Sequence, residues 1–149
     1  MIDTSRIAIY DYLYSLLYGV VTNNVHSMGE PSETTQDEAD NGFVVTQVGD
    51  IEDESEFEAN AYAWVRCYIY AYVPKMSRGR LNKKKYKVFE DAISAVIRNA
   101  ETQDDKSYYI MPETTLSMDG NDNTQKGNQY NIIAKSFVVV INKQAKTKL

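Results

Sequence analysis

Residues 59–73 read ANAYAWVRCYIYAYV, a strict alternation of two side-chain populations. Odd positions hold Ala59, Ala61, Ala63, Val65, Cys67, Ile69, Ala71 and Val73; even positions hold Asn60, Tyr62, Trp64, Arg66, Tyr68, Tyr70 and Tyr72. Successive residues of a strand point to opposite faces, so the pattern predicts one long β-strand with a small apolar face and an aromatic face. The small face suits a helix packed closely on the sheet. Tyr and Trp join a large contact area to a polar handle, which makes the aromatic row a candidate contact surface: Tyr62, Trp64, Arg66, Tyr68, Tyr70 and Tyr72.

The composition agrees with that emphasis. The chain has 12 Tyr against 4 Phe and 1 Trp, an excess of amphipathic rings that fits surfaces wet at some times and covered at others. Its 149 residues are expected to form a single domain, 1–149, with one core. The net charge of −5 argues against a general polyanion binder, so any nucleic-acid contact has to come from a local patch. A single cysteine, Cys67, excludes an internal disulfide, and a single histidine, His26, excludes the usual Cys/His zinc arrangements. Cys67 falls on the small strand face, where a thiol serves as core filler.

Outward from the long strand, the periodicities place the other elements. Ile7, Tyr10, Tyr14, Leu17, Tyr18 and Val21 recur at helical spacing, with Thr4 or Ser5 as N-cap. Ile9, Leu13, Leu16 and Val20 fall on another side of the same helix, which predicts burial on more than one side. Asp3 and Asp11 interrupt this segment, and it resembles neither a secretory signal nor a membrane span. Residues 22–42 carry Gly29, Pro31 and the acids Glu30, Glu33, Asp37, Glu38 and Asp40 without periodicity; they are expected to form a long acidic loop, a mobile arm or a binding loop. Phe43 to Ile51 predicts a first strand.

A second helix is predicted from Leu81 to Ala100, its apolar stripe being Val88, Phe89, Ala92, Ile93, Val96, Ile97 and Ala100, with Lys85 in line. Tyr108 to Met118 and Gln129 to Asn142 read as two further strands joined by a Gly/Asn/Asp loop, and residues 143–149 as a frayed basic tail. The predicted fold is α+β: a mostly antiparallel sheet of about four strands packed on two helices.

Catalytic signatures are missing. The chain has no phosphate-binding glycine loop, dinucleotide fingerprint, zinc-protease motif or nucleophile elbow. Asp119, Asn121 and Asn123 resemble half of a calcium loop, but Thr124 and Tyr130 stand where its Gly and Glu belong, and a hairpin turn accounts for them. No cofactor, metal or catalytic residue is expected.

Charge is distributed in two blocks. Asp50, Glu52, Asp53, Glu54, Glu56 and Glu58 precede the long strand; Lys75, Arg78, Arg80, Lys83, Lys84, Lys85 and Lys87 follow it without an intervening acid. Several of these cations fall in the first turns of the second helix, where the helix dipole disfavours them. Two partners would explain the basic block: the acidic turn of an identical subunit, in a head-to-tail contact able to close into a ring, or nucleic-acid phosphate. The plain alternative is a solvated basic helix start.

The strings IAIYDYLYSLLYGVV (7–21), AYAWVRCYIYAYVP (61–74), KKKYKVFEDAISAVIRN (83–99) and QYNIIAKSFVVVIN (129–142), in this order around a variable loop, resemble the tail-terminator and head-to-tail joining (neck) proteins of tailed bacteriophages. The resemblance implies a non-enzymatic virion protein, assembled in the host cytoplasm. It also implies a sixfold or twelvefold ring around the DNA channel, touching portal, neck or tail proteins and no membrane. The long acidic loop and the very aromatic strand depart from that pattern. A different class, a small-ligand-binding or catalytic α+β domain, would use the aromatic row to line a pocket, with Arg66 holding an anion.

Overall fold

The computed structural model describes residues 2–52, 61–101, 107–119 and 129–144. Ser5 opens the first helix, α1 (Arg6–Leu17), its hydroxyl accepting from the Ala8 amide at 3.2 Å. Then come β1 (Val25–Ser27), α2 (Gln36–Asn41), β2 (Phe43–Val48) and the long β3 (Tyr62–Pro74). A 3-10 turn at Ser77–Gly79 leads to α3 (Lys83–Asn99), capped by Asn82, whose side chain accepts from the Lys85 amide at 3.2 Å. Two strands close the order, β4 (Tyr108–Asp119) and β5 (Tyr130–Asn142). The hairpin loop 120–128, the start of the predicted long strand at 59–60 and the tail 145–149 lie outside the described residues.

The α+β class holds, with a larger inventory than the sequence pattern gave. The sheet has five strands in the order β1-β2-β3-β5-β4; β1 runs parallel to β2 and the other pairs are antiparallel, so the sheet is mixed. The described helices number three. Both additions lie in residues 22–42, expected to be an aperiodic acidic loop. Strand β1 is only Val-His-Ser and α2 only Gln-Asp-Glu-Ala-Asp-Asn, too short and too polar to show a hydrophobic period. What holds α2 is a capping box: the Thr35 hydroxyl accepts from the Glu38 amide at 3.2 Å while the Glu38 carboxylate accepts from the Thr35 amide at 3.1 Å.

The small face of β3 behaves as its composition dictates. Ala63, Val65, Cys67, Ile69, Ala71 and Val73 are fully buried, and α1 and α3 pack on this side through Ile9, Leu13, Leu17, Phe89, Ile93 and Ile97. The small side chains of Ala63, Cys67 and Ala71 let the helices come close to the strand, while Phe137, Val139 and Ile141 of β5 fill the volume beside them. Burial pushes the Cys67 thiol up to about 12, so it stays protonated at neutral pH and acts as filler. Burial of α1 is one-sided: Ile9, Tyr10, Leu13 and Leu17 face the core, whereas Ile7, Tyr14 and Tyr18 stand exposed, the last two stacked at 5.2 Å. Val88 of the predicted α3 stripe is likewise exposed, at the stripe's edge.

Candidate interface on the aromatic face

The opposite face of β3 is graded along its length. Tyr62 and Trp64 are 51% and 42% exposed, Arg66, Tyr68 and Tyr70 are half-buried, and Tyr72 is 3% exposed. The row therefore does not form one uniform display. Tyr72 is withdrawn into a second small core with Phe43, Val45, Tyr130 and Ile132, its ring stacked on Phe43 at 4.4 Å and set edge-on to Tyr130 at 6.0 Å.

Residues 22–42 build the cover at this end. The Tyr72 hydroxyl donates to the Glu30 carboxylate, and burial followed by that carboxylate pushes the phenol well above its ordinary value of 10. His26 of β1 lies edge-on to Phe43 at 5.7 Å, and its Nε2 pairs with Glu38 of α2. Burial alone would raise the Glu38 carboxyl. Its bonds to His26 and to the Thr35 amide and hydroxyl win, and hold it below the ordinary 4.5. Gly42, at the end of α2, has φ +92, and a Cβ there would collide with the Tyr72 carbonyl oxygen, so only glycine lets α2 lie this close to β3.

Arg66, in the middle of the row, reaches across β5. Its Nη1 donates to Ser136 Oγ at 2.9 Å and to the Thr114 carbonyl at 3.5 Å, where β4 breaks register between Met111 and Leu116. The guanidinium thus satisfies a buried serine hydroxyl and ties β3 to the irregular edge strand.

Around Arg66 the face is partly open. Cross-strand register sets the buried Val140 beside Trp64 and the half-buried Val138 beside Arg66, and β4 adds Met111 level with Arg66 and Leu116 and Met118 level with Tyr68 and Tyr70. Leu116 is 56% exposed and Met118 42%. Pattern reading of β3 alone missed this contribution of β4 and β5, although the alternate apolar residues of 138–140 and 116–118 carry the signal.

The two charge blocks sit at opposite ends of β3. Asp50 and Glu52 are exposed at the Trp64 end, where the Glu52 and Trp64 backbones pair; Asp53, Glu54, Glu56 and Glu58 lie outside the described residues. Lys75 to Lys87 follow Pro74, which stands ten residues along β3 from Trp64, about 33 Å at about 3.3 Å per residue. The structure does not treat the basic block as one patch. Lys85 donates to the Asp40 carbonyl at 2.8 Å, placing a cation at the negative end of α2, and Lys87 pairs with Asp91 at 2.9 Å. The Arg80 Nε turns back to the Ser77 carbonyl, and Lys75 is half-buried. Arg78, Lys83 and Lys84 stand exposed.

Among the described residues no group of three or more His, Cys, Asp or Glu side chains is arranged to hold a metal ion, and no helix is long and apolar enough to cross a membrane. No protein-family model matches the chain, and no curated protein matches it by sequence.

Proposed function

We propose that this protein is a non-enzymatic assembly component that forms a ring in the neck or tail of a bacteriophage virion, as a tail terminator or head-tail connector. The partly open sheet face carries the reading: Tyr62 and Trp64 at one end of β3, and Leu116 and Met118 on the edge strand β4 level with Tyr68 and Tyr70, are large and exposed on one face, of which the chain itself covers the Tyr72 end. Exposed aromatic and methionine side chains on one surface are the composition of an interface core. A neighbouring subunit is the proposed cover, with Trp64 as its anchor.

The polarity of β3 supports a head-to-tail geometry. Acids at one end of the strand and Arg78, Lys83 and Lys84 at the other are too far apart to meet within one chain. They are complementary between successive copies, and a heterologous contact of this kind closes into a ring when its rotation allows. The exposed Ile7, Tyr14 and Tyr18 strip of α1 gives an adjacent portal, neck or tail protein a second surface to grip. The bonds of Arg66 to Ser136 and Thr114 weigh against the pocket reading, which needs that guanidinium for a ligand.

Size-exclusion chromatography with light scattering, across protein concentration and at low and high salt, tests this. The expected result is a discrete mass of six or twelve chains that dissociates as salt rises and that Trp64→Ser abolishes. A monomer at every concentration and salt, in the wild type and in mixtures with virion neck or tail proteins, would overturn the reading.

A further inference from the structure

The β5 residues that face the helices are Ile133, Lys135, Phe137, Val139 and Ile141, and all but one belong to the core. Lys135 breaks the row. Its Nζ donates to Ser117 Oγ of β4 at 2.7 Å, a neutral partner that leaves the ammonium charge uncompensated. The last turn of α3 brings Arg98 alongside, and among the described residues Arg98 makes no ion pair. Thr115, in the stretch where β4 loses register, has its Oγ1 buried without a hydrogen-bond partner. These three side chains and Ser94 line a cleft of about 200 Å³ between α3 and β4, walled on its apolar side by Ile97 and Pro112.

Each oddity alone is minor. Together they set an exposed guanidinium, a half-buried ammonium and an unpartnered hydroxyl around one cleft. Two cations lining one cleft without an acid leave its field positive, and a buried hydroxyl without a partner has lost its water for nothing. One kind of guest answers all of them: an oxyanion, which accepts from guanidinium, ammonium and hydroxyl at once.

We propose that the cleft between α3 and β4 binds a small doubly charged oxyanion of the phosphate class, held by Arg98 and Lys135 with the Thr115 hydroxyl as third donor. The guanidinium fork matches two phosphate oxygens and the ammonium supplies a point charge opposite. Two cations match a dianion, whereas a monocarboxylate leaves one of them uncovered. Ile97 and Pro112 exclude water on one side and strengthen the attraction.

Inorganic phosphate, titrated at constant ionic strength against the full chain, is the probe. Amide NMR shifts are the readout. Saturable shifts centred on Ser94, Arg98, Thr115 and Lys135 are expected, with Arg98→Gln and Lys135→Gln each weakening phosphate by about tenfold or more, the worth of one charged hydrogen bond. Lys83→Gln, an exposed cation on the same helix outside the cleft, is expected to change nothing. O-phosphoserine in a parallel titration tells a free-phosphate site, which rejects it, from a phosphomonoester site, which accepts it; either outcome supports the phosphate class. Linear, unsaturated shifts, equal losses in Lys83→Gln and Arg98→Gln, or acetate binding as tightly as phosphate would each overturn the proposal. Because the readout is local and needs no assembly, its failure is distinct from failure of the ring reading.

Discussion

Tyr72 and Trp64 occupy the same face of the same strand eight residues' worth of strand apart in environment but not in chemistry: one is sealed under a local cover, the other faces solvent. The strand's own alternation cannot distinguish them, because it sets only which side a residue faces. What lies above it comes from elsewhere in the chain, here from Glu30, His26 and α2. Sidedness is thus a local property of sequence, and exposure is a tertiary one.

That contrast can be broken experimentally, beginning at the covered end. Tyr72→Ala removes a ring stacked on Phe43 and is expected to cost about 3–5 kcal/mol in urea unfolding, as for other buried aromatics; a cost below about 1 kcal/mol would mean the cover is not packed. Next, Glu38→Ala strips α2 of its capping box and His26 of its partner, for about 2 kcal/mol. The same carboxyl gives a pH signature. Its folded value lies below the ordinary 4.5, so its stabilisation is full above that pH and is lost as pH falls through the folded value. Wild-type stability is therefore expected to drop between pH 5 and pH 3 more than that of Glu38→Gln, and parallel acid curves for the two would refute the role of the pair.

Arg66→Ala, midway along the row, is expected to cost about 1 kcal/mol by leaving the Ser136 hydroxyl without its donor. Trp64→Ser, at the open end, is expected to leave monomer stability within about 0.5 kcal/mol while abolishing the multi-chain mass. If Trp64→Ser instead destabilises the monomer as much as Tyr72→Ala, the two ends are alike and the face is internal.

Much of the fold was legible because it rests on strong periods. The alternation of residues 61–73, the stripe from Phe89 to Ala100 and the β-branched run of 138–141 each carry enough repeats to declare strand or helix. Segment 22–42 was not, since three strand residues and six helical ones complete no period. A shorter signal was present: Thr35-Gln-Asp-Glu38 spells the capping box that starts α2. At the candidate interface, the row of β3 was readable but not its gradient. The basic block was misleading as a unit, because the partners of Lys85 and Lys87 are a carbonyl of α2 and a carboxylate one turn away. Lys135 and Thr115 gave no pattern at all; only the fold brings them to Arg98.

The strand order has a consequence for how the chain is made. β3 sits at the centre of the sheet, yet one of its two neighbours, β5, follows it only after α3 and β4, with Tyr62 pairing to Asn142 and Pro74 to Tyr130. During synthesis β1, β2 and β3 emerge as a three-stranded sheet whose β3 edge stays unpaired while about 55 residues, 75–129, are added before Tyr130 pairs with Pro74. Such an edge is an aggregation template until residues 130–142 arrive to close it.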